Sequence, residues 1–284
     1  MEIENIRIED MSFGYSKGGL VLEDINLSVS GGQVLSIIGP NGVGKSTLIH
    51  CMNKILSPTV GTVFIDGNDV KTTHVKELAK KMGYVPRATG DSFPMTVMDT
   101  VLMGKHPGTG HKITNDDVKE AYDLLKLLNI EWLAMRPFNQ LSAGQHQKVS
   151  IARGLIQNTK IILLDEPTSN LDVKHQMDVA RILKERSVEK GIIVVMISHD
   201  LNIASKYSDY VLMLYDKKIH ALGTPFETIT ANNIREVYGA ESTIVMDEGR
   251  PHVILRDPML KVSDRAPANT ICSTKLKPRK ALIN

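Results

Sequence analysis

The stretch GPNGVGKST combines residue types and a spacing that suit phosphate binding. The fixed positions of the pattern G-x-x-x-x-G-K-[ST] are filled by Gly39, Gly44, Lys45 and Ser46. Glycines let backbone N–H groups close around an anion, Lys45 would lie between the β- and γ-phosphates, and the Ser46 hydroxyl would be a Mg²⁺ ligand. The residues predicted to contact a nucleotide, ATP in the simplest case, are Gly39, Pro40, Asn41, Gly42, Val43, Gly44, Lys45, Ser46 and Thr47.

Polar side chains with catalytic potential follow two other apolar runs, IILLDEP and GIIVVMISHD. Asp165 would hold Mg²⁺ directly or through water, and Glu166 would act as general base for a water attacking the γ-phosphate. His199 would contact the γ-phosphate and couple to Glu166. The alternatives are a solvated turn for the two acids and a structural role for the histidine. Because these residues and the glycine loop all follow predicted strands, they are expected to meet at one edge of the sheet. This expectation favours the catalytic interpretation over the two alternatives.

The stretch LSAGQ (141–145) offers a second anion site, because Ser142 and Gly144 open a predicted helix. Backbone N–H groups and the helix dipole at such an end can receive a phosphate. One chain already has one phosphate cradle. A second anion site, placed beyond a helical segment, suggests that it serves the cradle of another copy of the chain.

The elements that must position these residues form an α/β domain. Two alternating segments, 3–13 and 21–29, predict an antiparallel strand set before the glycine loop. Continuous apolar strands separated by helices predict a parallel core sheet covered on both faces. Between them, residues 93–128 have a helical pattern with a capping box from Thr114 to Asp117. The apolar residues predicted to form one face of this helix are Val118, Ala121, Tyr122, Leu124, Leu125 and Leu128.

Composition excludes several classes of protein. The chain has 284 residues, 42% hydrophobic and 23% charged, which is typical of a soluble globular protein. A net charge of +2 gives no basic field for nucleic acid. No apolar run reaches transmembrane length, and the acidic N-terminus has no leader pattern. Cys51 and Cys272 form no metal spacing, and Cys51 is predicted to be a buried small hydrophobe. A reducing cytoplasm is expected.

The order of glycine loop, LSAGQ, ILLDEPTSNLD and ISHD resembles the ATP-binding subunit of an ATP-binding cassette (ABC) transporter, over about residues 2–240. This resemblance implies an ABC-type P-loop NTPase fold and a head-to-tail dimer that sandwiches two ATP molecules. One subunit's loop would face the other's Ser142, Ala143, Gly144 and Gln145. Asp172 belongs to the loop that crosses between the sites. Tyr15, which the pattern alone leaves open between a surface turn and a base contact, matches the adenine-stacking aromatic.

Finer stretches narrow the resemblance. FPMTVMDTVLMGKHP, HDLNIASKYSDYVLML and the ending GTPFETIT…IREVYG…GRPHVI resemble importers of the iron-siderophore, haem and cobalamin type. In that group the ATPase is a separate chain at the cytoplasmic face of the membrane. Its implied partners are a second copy, integral membrane permease subunits and, indirectly, a substrate-binding protein. The choice of substrate rests on analogy alone.

Two positions depart from the family pattern. LSAGQ has Ala143 where glycine is usual, and YVPR has Arg87 where the usual glutamine binds Mg²⁺ and senses the permease. Arginine has five donors and no acceptor, so Arg87 cannot be a metal ligand. We expect Arg87 to point toward phosphate or toward the transport partner, with another water on the metal.

The predicted organisation is an ATP-binding domain over 2–240, with a helical subdomain inserted at about 88–157, and an extension over 241–284 whose tail is disordered. Lysines near its end leave open a contact with anionic lipid. Two functional alternatives remain. One is a soluble ABC ATPase that acts on nucleic acid or ribosomes, against which the absence of paired cassettes and of a basic face argues. The other is a regulator that hardly hydrolyses ATP, suggested only by Arg87.

Overall fold

A computed structural model describes residues 5–16, 18–87, 95–105 and 113–257. The strands within these ranges are β1 (Asn5–Gly14), β2 (Leu20–Ser30), β3 (Val34–Ile38), β4 (Val60–Ile65), β5 (Asn68–Asp69), β6 (Met82–Val85), β7 (Ile161–Leu164), β8 (Ile193–Ile197), β9 (Tyr210–Tyr215), β10 (Lys218–Gly223), β11 (Glu241–Asp247) and β12 (Arg250–Arg256). The helices are α1 (Lys45–Met52), α2 (Val75–Lys81), α3 (Val97–Leu102), α4 (Asn115–Leu127), α5 (Ala143–Leu155), α6 (Val173–Lys190), α7 (Leu201–Tyr207), α8 (Pro225–Thr228) and α9 (Ala231–Tyr238).

The core sheet has, in the described part of the chain, six strands in the order β10-β9-β3-β8-β7-β6. All neighbours pair in parallel except β10, which runs antiparallel to β9. Every residue of β3, β7 and β8 is buried, as continuous apolar runs predict. Because β3, β8 and β7 are adjacent, the loops that follow them meet at one edge of the sheet. The predicted parallel core is confirmed.

The two faces of this sheet pack against different layers. Leu163 of β7 and Val195 of β8 share a hydrophobic core with the four-stranded antiparallel sheet β2-β1-β4-β5 and with α1. Ile162 and Val194, one residue earlier on each strand, point the other way and pack with α3, α4, α5 and α6. The predicted antiparallel subdomain is therefore confirmed. Cys51 of α1 is buried in the core shared with the antiparallel sheet, and burial raises the pKa of its thiol to about 12.

Helices α3, α4 and α5 lie between β6 and β7 and form the predicted helical insertion. The capping box of Thr114 and Asp117 begins α4 as predicted. The predicted apolar face is too broad, because Val118 and Tyr122 are exposed while Ala121, Leu124, Leu125 and Leu128 are buried. The narrower stripe already fills the contact with α3 and α5, so that Val118 and Tyr122 lie on the flanks of the helix.

After β10, the chain adds α8, α9 and a hairpin of β11 and β12. The hairpin packs on α7, where Asn202 bonds both the carbonyl and the amide of Val253, and Ser205 donates to the carbonyl of Pro251. The predicted division at residue 240 stays a prediction, and Cys272 and the tail that the sequence predicts to be disordered lie outside the described residues. None of the helices in the described ranges has the length and apolarity to cross a membrane.

Candidate active site

A cleft of about 860 Å³ opens at the edge where β3, β7 and β8 end. Its lining joins residues that are far apart in the sequence. Predicted site residues that line it are Tyr15, Asn41, Gly42, Gly44, Lys45, Ser46, Thr47, Arg87, Glu166 and His199. Gly39, Pro40 and Val43 complete the loop between β3 and α1. The convergence expected from the strand ends is thus present in the structure.

The glycine loop needs its glycines for backbone geometry. Gly39 has φ of +144°, and a Cβ there would meet the carbonyl oxygen of Leu214 at 2.4 Å. The Lys45 side chain is only 6% exposed, and its ammonium donates to the carbonyls of Gly39 and Pro40 at 2.8 Å each. Burial lowers the pKa of Lys45, although the nearby carboxylates of Glu166 and Asp165 oppose this. The loop therefore holds a buried cation at its base.

Ser46 and Asp165 meet as a metal site would require. The Ser46 hydroxyl donates to Asp165 Oδ1 at 3.2 Å, and Asp165 is 7% exposed. Burial raises the pKa of Asp165, and the hydrogen bond from Ser46 partly offsets that effect. Hydroxyl and carboxylate oxygens are the ligands that Mg²⁺ prefers, with phosphate and water oxygens completing its shell. The donor set fits Mg²⁺.

Glu166 lies at the centre of a charged group. Its backbone has φ of +50°, in the left-handed region that a non-glycine residue seldom adopts, and its side chain is 12% exposed. His199 Nε2 lies 2.6 Å from Glu166 Oε1. Arg87 Nη1 lies 3.3 Å from Glu166 Oε2. A carboxylate held in this way by a histidine can accept a proton from a water in the cleft.

The position of Arg87 adds a contact that the sequence did not predict. Its side chain is 60% exposed, lines the cleft and pairs with the predicted base. Whether it also reaches phosphate or a transport partner stays a prediction.

The LSAGQ stretch does not line the cleft of its own chain among the described residues. Ser142 and Gln145 form a capping box at the start of α5. Gly144 packs so closely on the loop before α6 that a Cβ would meet the carbonyl oxygen of Asn170 at 2.9 Å. Asp172 caps α6 and bonds the ring of His175 at 2.9 Å. Nucleotide contacts of Ser142, Ala143, Gly144, Gln145 and Asp172 stay predictions.

Sequence reasoning missed Thr168 and Gln176 as parts of the cleft. Gln176 Nε2 donates to the carbonyl of Thr168 at 3.1 Å and so joins α6 to the loop after β7. No signal in the sequence pointed to Gln176, because its contact with Thr168 depends on how the loop after β7 folds against α6. Tyr15, by contrast, lies at the cleft as expected, 52% exposed and edge-on to Phe13 at 5.0 Å.

A glycine loop after a central parallel strand, with an acidic strand end beside it, defines a P-loop nucleotide-binding ATPase. A sequence model of the ABC transporter family matches residues 22–169. The chain belongs to the ABC transporter family, as its ATP-binding component, and the predicted resemblance and fold are confirmed.

Individual relatives agree with this assignment. The ferric enterobactin transport ATP-binding protein FepC of Escherichia coli is 34% identical over 256 residues, which cover 89% of this chain and 94% of FepC. The petrobactin import ATP-binding protein YclP of Bacillus subtilis is 35% identical over 82% of this chain and 92% of its own. The cassette MJ0796, solved as a dimer with ADP and Pi, has a TM-score of 0.70 and 30% identity, over 77% of this chain and 98% of MJ0796.

Proposed function

We propose that this chain is the ATP-hydrolysing subunit that powers import of a metal chelate through a separate membrane permease. The observation that carries the proposal is one cleft lined by a phosphate loop and the Glu166–His199 pair, with Asp165 bonded to Ser46 beside it. A solved ABC transporter described as being of metal-chelate type, in an inward-facing conformation, has a TM-score of 0.76 and 27% identity over 90% of this chain and 98% of its own. That likeness, and the relatives named for ferric enterobactin transport and for petrobactin import, support the substrate class.

The residues divide the reaction among them. The Lys45 ammonium would leave the loop carbonyls for phosphate oxygens, and Tyr15 would stack on the adenine. Ser46 and Asp165 would hold Mg²⁺, which neutralises charge on the phosphates when bound. Glu166, oriented by His199, would take a proton from a water molecule while the water oxygen attacks the γ-phosphorus. The bond between that phosphorus and the bridging oxygen then breaks, and ADP and phosphate result.

A single chain presents half of the proposed site. Because the LSAGQ end of α5 lies away from the cleft of its own chain, its N–H groups would serve the nucleotide of a second copy. We therefore propose a head-to-tail dimer at the cytoplasmic face of the membrane, held there by the permease. A substrate-binding protein would deliver the chelate to that permease from the other side.

Hydrolysis tests the catalytic part of the proposal. The full chain is expected to hydrolyse Mg-ATP, and Glu166→Gln is expected to lose at least about 100-fold in kcat, the scale of general-base catalysis. Glu189→Gln, at an exposed position of α6, is the matched control and should keep the wild-type rate. Equal rates for the wild type and Glu166→Gln would contradict the assignment of the base.

Uptake tests the substrate class. A strain that lacks this chain is supplied with labelled ferric siderophore, haem or cobalamin, with and without a plasmid that carries the gene. Restored uptake of one chelate, absent with Glu166→Gln, supports the proposal and names the cargo. Unchanged uptake of all three in the deleted strain would contradict it. Co-purification with ribosomes instead of membranes would favour the alternative of a soluble ABC ATPase.

A further inference from the structure

Arg87 and Glu166 follow two strands that lie side by side in the core sheet. Strand β6 pairs in parallel with β7, with Val85 beside Leu164. The pairing continues past this point, since the amide of Asp165 donates to the carbonyl of Val85 at 2.9 Å. Two residues beyond each partner come Arg87 and Glu166. The aligned strand ends bring these two residues near each other, and Arg87 Nη1 lies 3.3 Å from Glu166 Oε2.

The contact places a cation on the oxygen that the mechanism needs. His199 Nε2 lies 2.6 Å from Glu166 Oε1, so that Oε2 is the carboxylate oxygen left to accept a hydrogen bond from the attacking water. Arg87 Nη1 lies against this same oxygen. A guanidinium carries only donors and suits a carboxylate, so it competes with a water that must also donate to Oε2. A neutral side chain at this position would compete far less.

We propose that Arg87 is a brake on hydrolysis, which restrains Glu166 by pairing with Oε2 and so lowers the basal rate of the chain. The inference rests on the proposed function, because it assumes that Glu166 is the base. Arg87 acts here as a positioning residue and not as a catalytic one. Since its side chain is 60% exposed, the pair is weak, and an exposed ion pair of this kind changes an equilibrium by a factor of up to about five.

Three substitutions in the full chain separate the effect of charge from that of length. Arg87→Met removes the charge and provides no acceptor, Arg87→Gln removes the charge and adds one, and Arg87→Lys keeps a charge. We expect kcat to rise about two- to fivefold for the Met and Gln variants, with KM for ATP unchanged. The kcat of Arg87→Lys should stay below that of these two variants. Arg136→Met, at an exposed arginine of the helical insertion, is the matched control and should keep the wild-type kcat.

Salt provides a second readout that a purely structural role would not move. An exposed ion pair is screened as ionic strength rises, so kcat of the wild type should approach that of Arg87→Met between low and high salt. The ratio of the two rates cancels general effects of salt on ATP binding. A constant ratio across the salt series would contradict the brake.

The outcomes distinguish the inference from the function on which it rests. If the wild type exceeds Glu166→Gln but neither the Met nor the Gln variant exceeds the wild type, the brake is overturned and the base stands. If the wild type and Glu166→Gln are equal, the proposed function fails, and the brake fails with it. A rise in KM with kcat unchanged would show that Arg87 serves phosphate binding, which also overturns the brake.

Discussion

The contact between Gly144 and the loop that precedes α6 makes Gly144→Ala an informative substitution. Gly144 is the second residue of α5, and its backbone is helical, so alanine meets no conformational penalty there. The added Cβ would instead lie 2.9 Å from the carbonyl oxygen of Asn170 and 3.3 Å from Leu171 Cδ2, where ordinary contact begins at 3.4 Å. The first of these neighbours is backbone, so either α5 or the loop must move.

The magnitude follows from two opposing terms. Overpacking of this kind costs roughly 1–3 kcal/mol, whereas alanine gains up to about 1 kcal/mol over glycine inside a helix. The net loss therefore lies between about 0 and 3 kcal/mol, and a middle value of about 1–2 kcal/mol lowers Tm by roughly 2–8 °C at 2–4 °C for each kcal/mol. The rate should fall as well, because relief of the clash needs a shift of about 0.5 Å (3.4 minus 2.9 Å) and a misplacement of about 1 Å can cost on the order of 100-fold in rate.

Three measurements on the purified chain test this reasoning. Thermal unfolding gives the loss of stability, a fluorescent ATP analogue gives the affinity of the cleft, and phosphate release gives kcat. We expect Gly144→Ala to lower Tm and reduce kcat at least tenfold, with analogue affinity unchanged, because the cleft of the same chain lies elsewhere. Lys119→Gln, at an exposed position of α4, is the control, since a surface change away from such contacts should stay within about 0.5 kcal/mol. Wild-type Tm and kcat for Gly144→Ala would refute the packing argument.

Three further predictions concern the cleft. His199→Ala loses the 2.6 Å contact with Glu166 and should lower kcat about 10–100-fold with KM for ATP unchanged. A rise in KM of the same size would assign His199 to ATP binding instead. Asp165→Asn should raise Tm at neutral pH while abolishing hydrolysis. Burial raises the pKa of Asp165, so its ionised form lowers the stability of the folded chain at any pH above the ordinary pKa. The gain in Tm should therefore shrink in acid, as thermal unfolding measured against pH would show. Tyr15→Ala should weaken ATP about 5–150-fold and Tyr15→Phe should restore it, as titration with ATP would measure; equal affinities would remove the stacking role.

Local pattern was sufficient to predict the phosphate loop and the core sheet. Continuous apolar runs are typical of strands buried on both faces, and the residues that follow such strands must share one edge. Asp165, Glu166 and His199 each follow such a strand, and their place beside the glycine loop could therefore be predicted. The alternation of the first two segments likewise predicted the antiparallel sheet.

What the sequence could not predict depends on register and on packing between distant segments. The contact of Arg87 with Glu166 requires the alignment of β6 with β7. The sequences of short apolar strands do not determine how they align with each other. The exposure of Val118 and Tyr122 depends on how wide a stripe the neighbouring helices cover. Gln176 reaches the cleft only because the loop after β7 folds back against α6.

The hairpin of β11 and β12 has a consequence for any attempt to define a minimal cassette. Its bonds with Asn202 and Ser205 hold α7, and this helix starts two residues after His199. A chain cut after Ala240 would leave those polar groups without their partners and would uncover Ile234, which shares a core with Val253. The stretch of sequence that carries the nucleotide-site motifs is therefore shorter than the unit that folds, since the last two strands support the helix that follows His199.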